Sequence, residues 1–368
     1  MTTTPPPTEN REAAPVTASG VRPRGGWLTA ARRVVPLGLS QSVIAVVLGI
    51  AVCFVIMLAV ASNPLEAFGS FVFGTFRNPY SIGSMIAIAT VLVLTALAAA
   101  VGFRAGAFNI GAEGQLVLGG LAAAVVAGNA GIDGFVGQAL ALIAATVTGA
   151  LWIAVPAVLR VRFRTNEILT TLMFNYIAAD FALFLVNSYF RDPDSGAVET
   201  PPLDDSLWLA RLLPPPSPAN VGAILVVVIA VGLWIYFDRT RSGMRMEAAG
   251  LQPAFAEYLG VRSGRYLFLS LAVSGGLAGL AGGVAVLGIT HAYISGFSPQ
   301  YGFLGITVAL IGRLRPLGIL VAAVLYASLM TGATAMQATS NVPFSLVFVL
   351  QGVLILLITS QRLGRSSS

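Results

Sequence analysis

Long apolar runs constrain this chain more than any other feature. Stretches of roughly 20 apolar residues follow one another, separated by short polar segments. A run of that length crosses a bilayer as a helix, because a helix satisfies its backbone hydrogen bonds internally. The clear candidates are residues 38–61, 81–103, 109–128, 135–159, 167–189, 220–237, 266–290, 316–335 and 343–360. The sequence therefore predicts an all-α integral membrane protein.

A tenth apolar run, residues 301–312, is short, and charge decides whether it crosses. Basic residues accumulate on the cytoplasmic side of membrane proteins. All 21 basic residues are arginines, and if the short run crosses, only Arg77, Arg191 and Arg211 lie outside. If it does not cross, the last four arginines also move outside. We therefore expect about ten transmembrane helices, with both termini in the cytoplasm.

The segments outside the spans differ in composition. Residues 1–30 are rich in Pro, Thr and Ala, which predicts a disordered cytoplasmic tail. Residues 31–361 form the transmembrane domain, and residues 362–368 a second cytoplasmic tail. Within the domain, residues 190–219 form an acidic, proline-rich loop predicted to be extracellular. It is either a docking surface for an external protein or a solvated connector. Residues 238–265 form a basic loop predicted to be cytoplasmic.

The basic loop contains the signals of one short helix. Pro253 suits the first helical position and Gly260 the position just after the end. Phe255 and Leu259 are four residues apart and would share one face, with Tyr258 beside them. A helix this short is not stable alone, so we expect it to dock onto a partner protein. The alternative is that the same apolar face lies on the membrane surface.

Several polar side chains fall within or at the edges of the predicted spans. Such groups are costly in lipid and often mark transport pathways. Carboxylates and amides there could hydrogen-bond the hydroxyl groups of a sugar. The other interpretation is structural, with Asn109 as a helix cap and the rest bonding neighbouring helices. The candidate pathway residues are Asn109, Glu113, Gln115, Asn175, Tyr176 and Asp180.

Two stretches interrupt the apolar pattern, residues 103–115 and residues 291–300. Each combines glycine with polar residues beside a span. Interrupted segments in corresponding halves of a transporter indicate a binding site at a repeat interface. The spacing of similar residues differs between the two stretches, so an internal repeat is suggested and not demonstrated.

The sequence argues against several other functions. It contains no GxxxxGK[ST] phosphate-binding loop, one histidine and one cysteine, so we expect no enzyme, no metal site and no ATPase in this chain. The arginines lie in loops between apolar runs, which indicates membrane topology and not nucleic-acid binding. An ion-coupled secondary transporter would need intramembrane carboxylates, for which only Glu113 and Asp180 are available. A membrane enzyme would depend on His291 alone.

Three stretches resemble the permease subunits of bacterial ABC importers. They are FRAGAFNIGAEGQ (103–115), NEILTTLMFNYIA (166–178) and EAAGLQPAFAEYLGV (247–261). They are similar to the branched-chain amino acid, ribose and simple-sugar superfamily, closest to its nucleoside branch. The third stretch resembles the segment that contacts the ATPase. Glu247 and Gln252 stand where that family more often has Arg and Asn.

The resemblance extends from about residue 38 to residue 361. It implies a type II-like permease of the bacterial cell membrane that moves a small neutral solute, nucleosides first, by alternating access. Simple sugars of the ribose or galactose type and branched-chain amino acids are the alternatives. It also implies three partners: cytoplasmic subunits that bind ATP and Mg²⁺, a second and usually different permease, and an extracellular substrate-binding lipoprotein. The PAFAEYLG helix would then contact the ATPase.

Overall fold

The computed structural model describes residues 63–339 and positions 51, 52, 54, 55, 57, 58 and 352. The predicted tails and most of the predicted spans 38–61 and 343–360 lie outside these residues. The helices between residues 63 and 339 are α1 (Pro64–Phe73), α2 (Pro79–Arg104), α3 (Ala112–Asn129), α4 (Gly134–Phe163), α5 (Glu167–Leu185), α6 (Gly222–Arg239), α7 (Arg241–Leu251), α8 (Pro253–Tyr258), α9 (Ser263–Ala285), α10 (Tyr301–Ile311) and α11 (Pro316–Thr339).

The all-α prediction is confirmed for the described residues, which contain helices and two isolated β-bridges. Six of the helices are long and apolar enough to cross a membrane: α2, α4, α5, α6, α9 and α11. Two of these, α5 and α9, continue as π-helical turns over Val186–Phe190 and Val286–Thr290. Both ends of each of these six helices lie within about four residues of the predicted span limits, because an apolar run must match the thickness of the hydrocarbon core.

Two predicted spans form helices outside this group. Helix α3 has 18 residues but includes the polar residues Glu113, Gln115 and Asn129, and α10 has only 11 residues. Neither is among the six helices that meet the length and apolarity of a membrane span. The count of ten spans and the orientation of the termini therefore stay predictions.

Helix α1 is absent from the sequence-based prediction. It has ten residues, begins with Pro64 and contains Glu66, so it does not form the long apolar run by which the other helices are recognised. Its Phe71 packs in one buried cluster with Ala333 and Met336 of α11. The helix is therefore held by contacts with a segment far away in sequence.

Most of the described arginines collect at one end of the bundle, here called the arginine-rich end. Helices α2, α4 and α6 finish there, and α9 begins there. Arg104 links the end of α2 to the segment before α11, because its Nε donates a hydrogen bond to the Leu314 carbonyl oxygen at 3.0 Å. The loop 190–219 lies at the opposite end, here called the loop end.

The loop 190–219 is bound to the segment that follows α9. The backbone N–H groups of Thr200 and Leu203 donate to the carbonyl oxygens of Tyr293 and His291 at 2.9 and 2.8 Å. Leu203 and Leu207 are buried in the main hydrophobic cluster. This part of the loop therefore belongs to the packed body, while its proposed contact with an external protein stays a prediction.

Small residues allow the central helices to pack closely. Helix α9 packs mainly on α4, α3 and α2. A Cβ atom at Gly279 of α9 would overlap the carbonyl oxygen of Ala145 and lie 3.0 Å from the Cα atom of Gly149, both in α4. A Cβ at Gly282 would overlap the carbonyl oxygen of Leu116 in α3. Association of helices in lipid relies on such close backbone approach.

A matched pair of glycine substitutions tests this packing. Gly279→Ala should destabilise the fold by about 1–3 kcal/mol, because α4 must move to admit the methyl group. Gly232→Ala in α6, where an added Cβ meets nothing within 4 Å, should be neutral or stabilising by up to about 1 kcal/mol. Thermal unfolding of both purified variants in detergent measures the difference. Equal unfolding temperatures would contradict the assigned contact.

Candidate functional site

A break in the helical backbone lies between α2 and α3. Residues 105–111 are not helical, and Ala107 and Asn109 within them are completely buried. Non-helical backbone at membrane depth is stable only where its N–H and C=O groups find partners inside the protein. The side chains that supply these partners define the candidate site.

The amide of Asn109 is the centre of one hydrogen-bond cluster. Its Nδ2 donates to Gln115 Oε1 at 2.8 Å and to Ser274 Oγ at 2.9 Å. Its Oδ1 accepts from Gln115 Nε2 at 3.1 Å and from the N–H of Gly111 at 3.0 Å. Ser274 in turn donates to the Ala98 carbonyl oxygen at 2.7 Å. The cluster therefore ties α2, α3 and α9 together.

Helix α5 supports the same break from the other side. Asn175 Nδ2 donates to the Ile110 carbonyl oxygen at 2.9 Å, and its Oδ1 accepts from the N–H of Gly114 at 2.8 Å. The N–H of Ile110 donates to Thr171 Oγ1 at 3.3 Å. These bonds join the first and second of the three motif stretches recognised in the sequence.

Glu113 connects the first interrupted segment to the helix that directly follows the second. Its Oε2 accepts a hydrogen bond of 2.7 Å from the N–H of Gly302, in the first turn of α10. A carboxylate is favoured at this position by the positive end of the helix dipole. A Cβ at Gly302 would lie 2.6 Å from the Cα of Glu113, so the beginnings of α3 and α10 touch. The first interrupted segment thus meets the helix that begins where the second ends.

The third motif stretch contacts the break at the arginine-rich end. Gly106 has φ +74°, a conformation that favours glycine, and a Cβ there would lie 2.7 Å from the Gly250 carbonyl oxygen of α7. Arg104 Nη1 lies 3.9 Å from Glu247 Oε2, and its guanidinium carbon lies 4.5 Å from the centre of the Phe237 ring. All three motif stretches therefore converge on residues 103–115.

The short helix of the basic loop forms where the sequence predicts it. Pro253 occupies its first turn, and Gly260 follows its end with φ +78°. Ala256 is buried, whereas Phe255, Tyr258 and Leu259 are 57%, 88% and 62% exposed. The helix therefore presents an apolar surface that nothing in the described chain covers. Its docking role stays a prediction.

The six candidate pathway residues occupy two different environments. Asn109, Gln115 and Asn175 are buried and hydrogen-bonded within the chain, and Glu113 is partly buried. Tyr176, 66% exposed, and Asp180 lie on the open side of α5. They share this side with the exposed apolar side chains Leu169, Met173, Ile177 and Phe184. A contact between any of the six and a transported solute stays a prediction.

Sequence reasoning missed three participants in this site. Ser274 and Thr171 complete the hydrogen-bond clusters, and Gly250 forms the contact with Gly106. A hydroxyl residue within a run of small residues, as in SGGLAG around Ser274, is a signal of interhelical contact that could have found one of them. Gly250 carried no local signal.

His291 belongs to an aromatic cluster at the loop end. Its ring stacks on Trp208 with centroids 3.8 Å apart, and the guanidinium carbon of Arg211 lies 5.5 Å from the Trp208 ring centre. Burial lowers the pKa of His291, and the positive charge of Arg211 lowers it further. The cluster joins the loop to the segment that follows α9.

Broken helices that meet at a polar centre, inside a bundle of apolar helices long enough to cross a membrane, define a multi-pass membrane transport protein. Residues 81–359 match the family described as branched-chain amino acid transport system, permease component, and the chain belongs to that family. It is thus a transport permease and not an enzyme.

Three relatives are similar over most of their length. The guanosine ABC transporter permease protein NupP of Bacillus subtilis is 33% identical over 86% of this chain and 92% of its own. The nucleoside ABC transporter permease protein NupB of Lactococcus lactis is 34% identical over 86% and 89%. The glucose ABC transporter permease protein TsgB13 of Haloferax volcanii is 33% identical over 91% of both chains.

The support that α5 gives to the break can be tested with two asparagines of that helix. Asn175→Ala should destabilise the protein by about 1–3 kcal/mol, because the Ile110 carbonyl and the Gly114 N–H lose their partner inside the protein. Asn187→Ala is the control, since Asn187 is exposed and bonds only the Leu183 carbonyl of its own helical turn. Thermal unfolding in detergent compares the two, and an equal loss would contradict the structural role of Asn175.

Proposed function

We propose that this chain is the permease subunit of an ATP-driven importer that carries nucleosides across the bacterial cell membrane by alternating access. The family and the names of the relatives in Bacillus subtilis and Lactococcus lactis support this proposal. In it, ATP and Mg²⁺ are bound by separate cytoplasmic subunits. A second, homologous permease completes the transmembrane part, and an extracellular lipoprotein delivers the solute.

The observation that carries the proposal is the exposed apolar surface of α8. A helix of six residues cannot be stable alone, and its attachments are the buried Ala256 and a hydrogen bond from Ser263 Oγ to the Pro253 carbonyl oxygen. Phe255, Tyr258 and Leu259 offer anchors of the kind that fill a pocket on a partner. We assign this surface to the ATPase, with Pro253 and Gly260 setting the helix limits.

The contacts around Arg104 supply a path from α8 to the transport centre. Helix α7 precedes α8 directly and meets the break at Gly250 and Gly106. Glu247 of α7 lies near Arg104, the last residue of α2. Displacement of α8 by the ATPase would therefore move α7 against the segment that joins α2 to α3. In the proposed mechanism this movement opens the pathway inward.

The open side of α5 is the proposed wall of the pathway. A carboxylate facing lipid is costly, so the side of α5 that carries Asp180 requires a protein or water boundary. A second permease facing α5 would provide one and enclose a cavity. The Asp180 carboxylate can accept hydrogen bonds from two neighbouring hydroxyl groups, and the Tyr176 ring can stack on a flat base. The other four candidate residues would support these walls through their hydrogen bonds within the chain: Asn109, Glu113, Gln115 and Asn175.

A simple sugar is the second candidate cargo. The glucose permease relative from Haloferax volcanii favours it, and a sugar shares the vicinal hydroxyl groups of a nucleoside. An amino acid fits less well, because its carboxylate needs a cationic partner. The exposed side of α5 carries no basic residue between Glu167 and Leu185. The nearby aromatic Tyr176 favours the nucleoside over the sugar.

Uptake measurements test the importer and its coupling helix together. Cells that carry this chain with its ATPase, second permease and binding protein should accumulate radiolabelled nucleoside only while ATP is available. Phe255→Asp/Leu259→Asp should abolish uptake, because two charges would enter an apolar interface. Phe135→Asp is the control, since Phe135 is an even more exposed aromatic near the loop end and should leave uptake unchanged. Uptake that is independent of ATP and unaffected by the double substitution, but is lost when the proton gradient is dissipated, would contradict the proposal.

The role of Asp180 is tested by a substitution that keeps its shape. Asp180→Asn should lower uptake efficiency at least about tenfold, since a hydrogen bond to a charged group contributes about 1.5–3 kcal/mol. The protein level and unfolding temperature should not change, because Asp180 is exposed. Asp194→Asn in the loop 190–219 is the control and should behave as the unmodified protein. Full uptake by Asp180→Asn would remove this residue from the pathway.

A further inference from the structure

A basic cavity lies at the arginine-rich end, beside the segment that follows α8. It measures about 440 Å³ and is bounded by α7, by that segment and by the first turns of α9. Three arginines reach it from these three elements: Arg245, Arg262 and Arg265. Tyr266 and the backbone of Gly260 complete the wall.

The three arginines have no acidic partner among the described residues. The ion pairs in that part of the chain join Arg104 to Glu247 and Arg160 to Glu167. Three guanidinium groups around one cavity repel each other, and an anion placed between them would remove the repulsion. The planar guanidinium group matches the oxygens of a phosphate particularly well.

An apolar groove continues from this cavity along the outer side of α9. It measures about 320 Å³ and shares Ser242, Tyr266 and Leu269 with the basic cavity. Its further wall comes from α6 and α9, including Phe237 and Val273. Leu269 and Val273 are about half exposed, so the groove is open to the surroundings of the bundle.

The two cavities follow the direction from the membrane surface toward its interior. Arg265 and Val273 are eight residues apart in α9, which corresponds to about 12 Å along the helix axis. The charged part therefore lies at the end of the helix and the apolar part at the depth of the hydrocarbon. Tyr266 stands at the boundary, the position that amphipathic aromatic residues favour in membrane proteins.

We propose that this double cavity binds one anionic phospholipid. The three arginines hold the phosphate-bearing headgroup, and the groove between α6 and α9 receives an acyl chain. Basic pockets beside transmembrane helices recognise anionic lipid headgroups in this way. A free phosphate or an acidic peptide would use the arginines but would leave the apolar groove empty. The joined charge and groove therefore favour a lipid over both.

The site also has a position from which it can affect α8. Leu259 and Gly260, the two residues after that helix, line the basic cavity. A bound headgroup would fix the segment that connects α8 to α9. The lipid would thus contact the exposed helix at its C-terminal end, where Leu259 belongs both to the cavity and to the apolar surface. Lipid binding itself does not depend on the nature of the transported solute.

Native mass spectrometry of the purified full chain in detergent tests the proposal. The probes are dioleoyl phosphatidylglycerol, which is anionic, and dioleoyl phosphatidylcholine, which is not. The chain should bind the anionic lipid more tightly, and Arg245→Gln, Arg262→Gln and Arg265→Gln should each weaken binding about fivefold. The control is Arg162→Gln/Arg164→Gln/Arg315→Gln, which removes three exposed arginines of the same end that do not line the cavity. It should bind as the unmodified chain does.

A second variant tests the apolar groove independently of the three arginines. Val273→Trp should fill the groove and weaken binding of dioleoyl phosphatidylglycerol. It should leave binding of the short-chain dihexanoyl phosphatidylglycerol unchanged. Leu269→Trp serves the same purpose if Val273→Trp fails to fold, as judged by its unfolding temperature. Equal binding of the two headgroups, or equal loss in the control, would overturn the proposal. Competition by inorganic phosphate at the concentration of the lipid would assign a phosphate site instead. Stoichiometric displacement of the lipid by the ATPase subunits would assign the cavity to the protein interface.

Discussion

The structure depends on one constraint, the need to satisfy polar backbone that is not helical and yet lies within a bundle of apolar helices. Residues 105–111 impose it. Asn109 satisfies part of that backbone from within the segment, and Asn175 reaches it from α5. Each amide uses both its donor and its acceptor side. The three motif stretches of the sequence therefore meet because one short segment needs partners from several helices.

Close packing of small residues makes these partners available. Ser274 can reach Asn109 only because α9 approaches α3 and α4 at backbone distance, and Gly279 and Gly282 permit that approach. A larger residue at either glycine would separate the helices and lengthen the hydrogen bonds at the centre. The stability of the polar cluster therefore depends on the close packing of the apolar helices.

Much of the fold follows from the sequence because the bilayer imposes a length on every spanning helix. The short helix α8 was also predictable, since Pro253 and Gly260 mark its ends locally. The pairing of Asn109 with Ser274 was not, because these residues are 165 positions apart and leave no periodic trace. Helix α1 was missed for a similar reason, as its contacts with α11 are distant in sequence. The polar positions of the site are visible in the sequence, but only the structure shows which amides hydrogen-bond each other.

The contact of Gly106 with Gly250 has a mechanical consequence. Most contacts between helices pass through side chains, which can change rotamer and absorb a small displacement. Here backbone meets backbone, so this joint has no rotamers with which to yield. Only the backbone itself can deform at this contact. A shift of α7 by a fraction of an ångström would therefore displace the segment between α2 and α3. In the proposed mechanism, a joint of this kind would make opening depend on the position of α7 and little on the arrangement of the side chains around it.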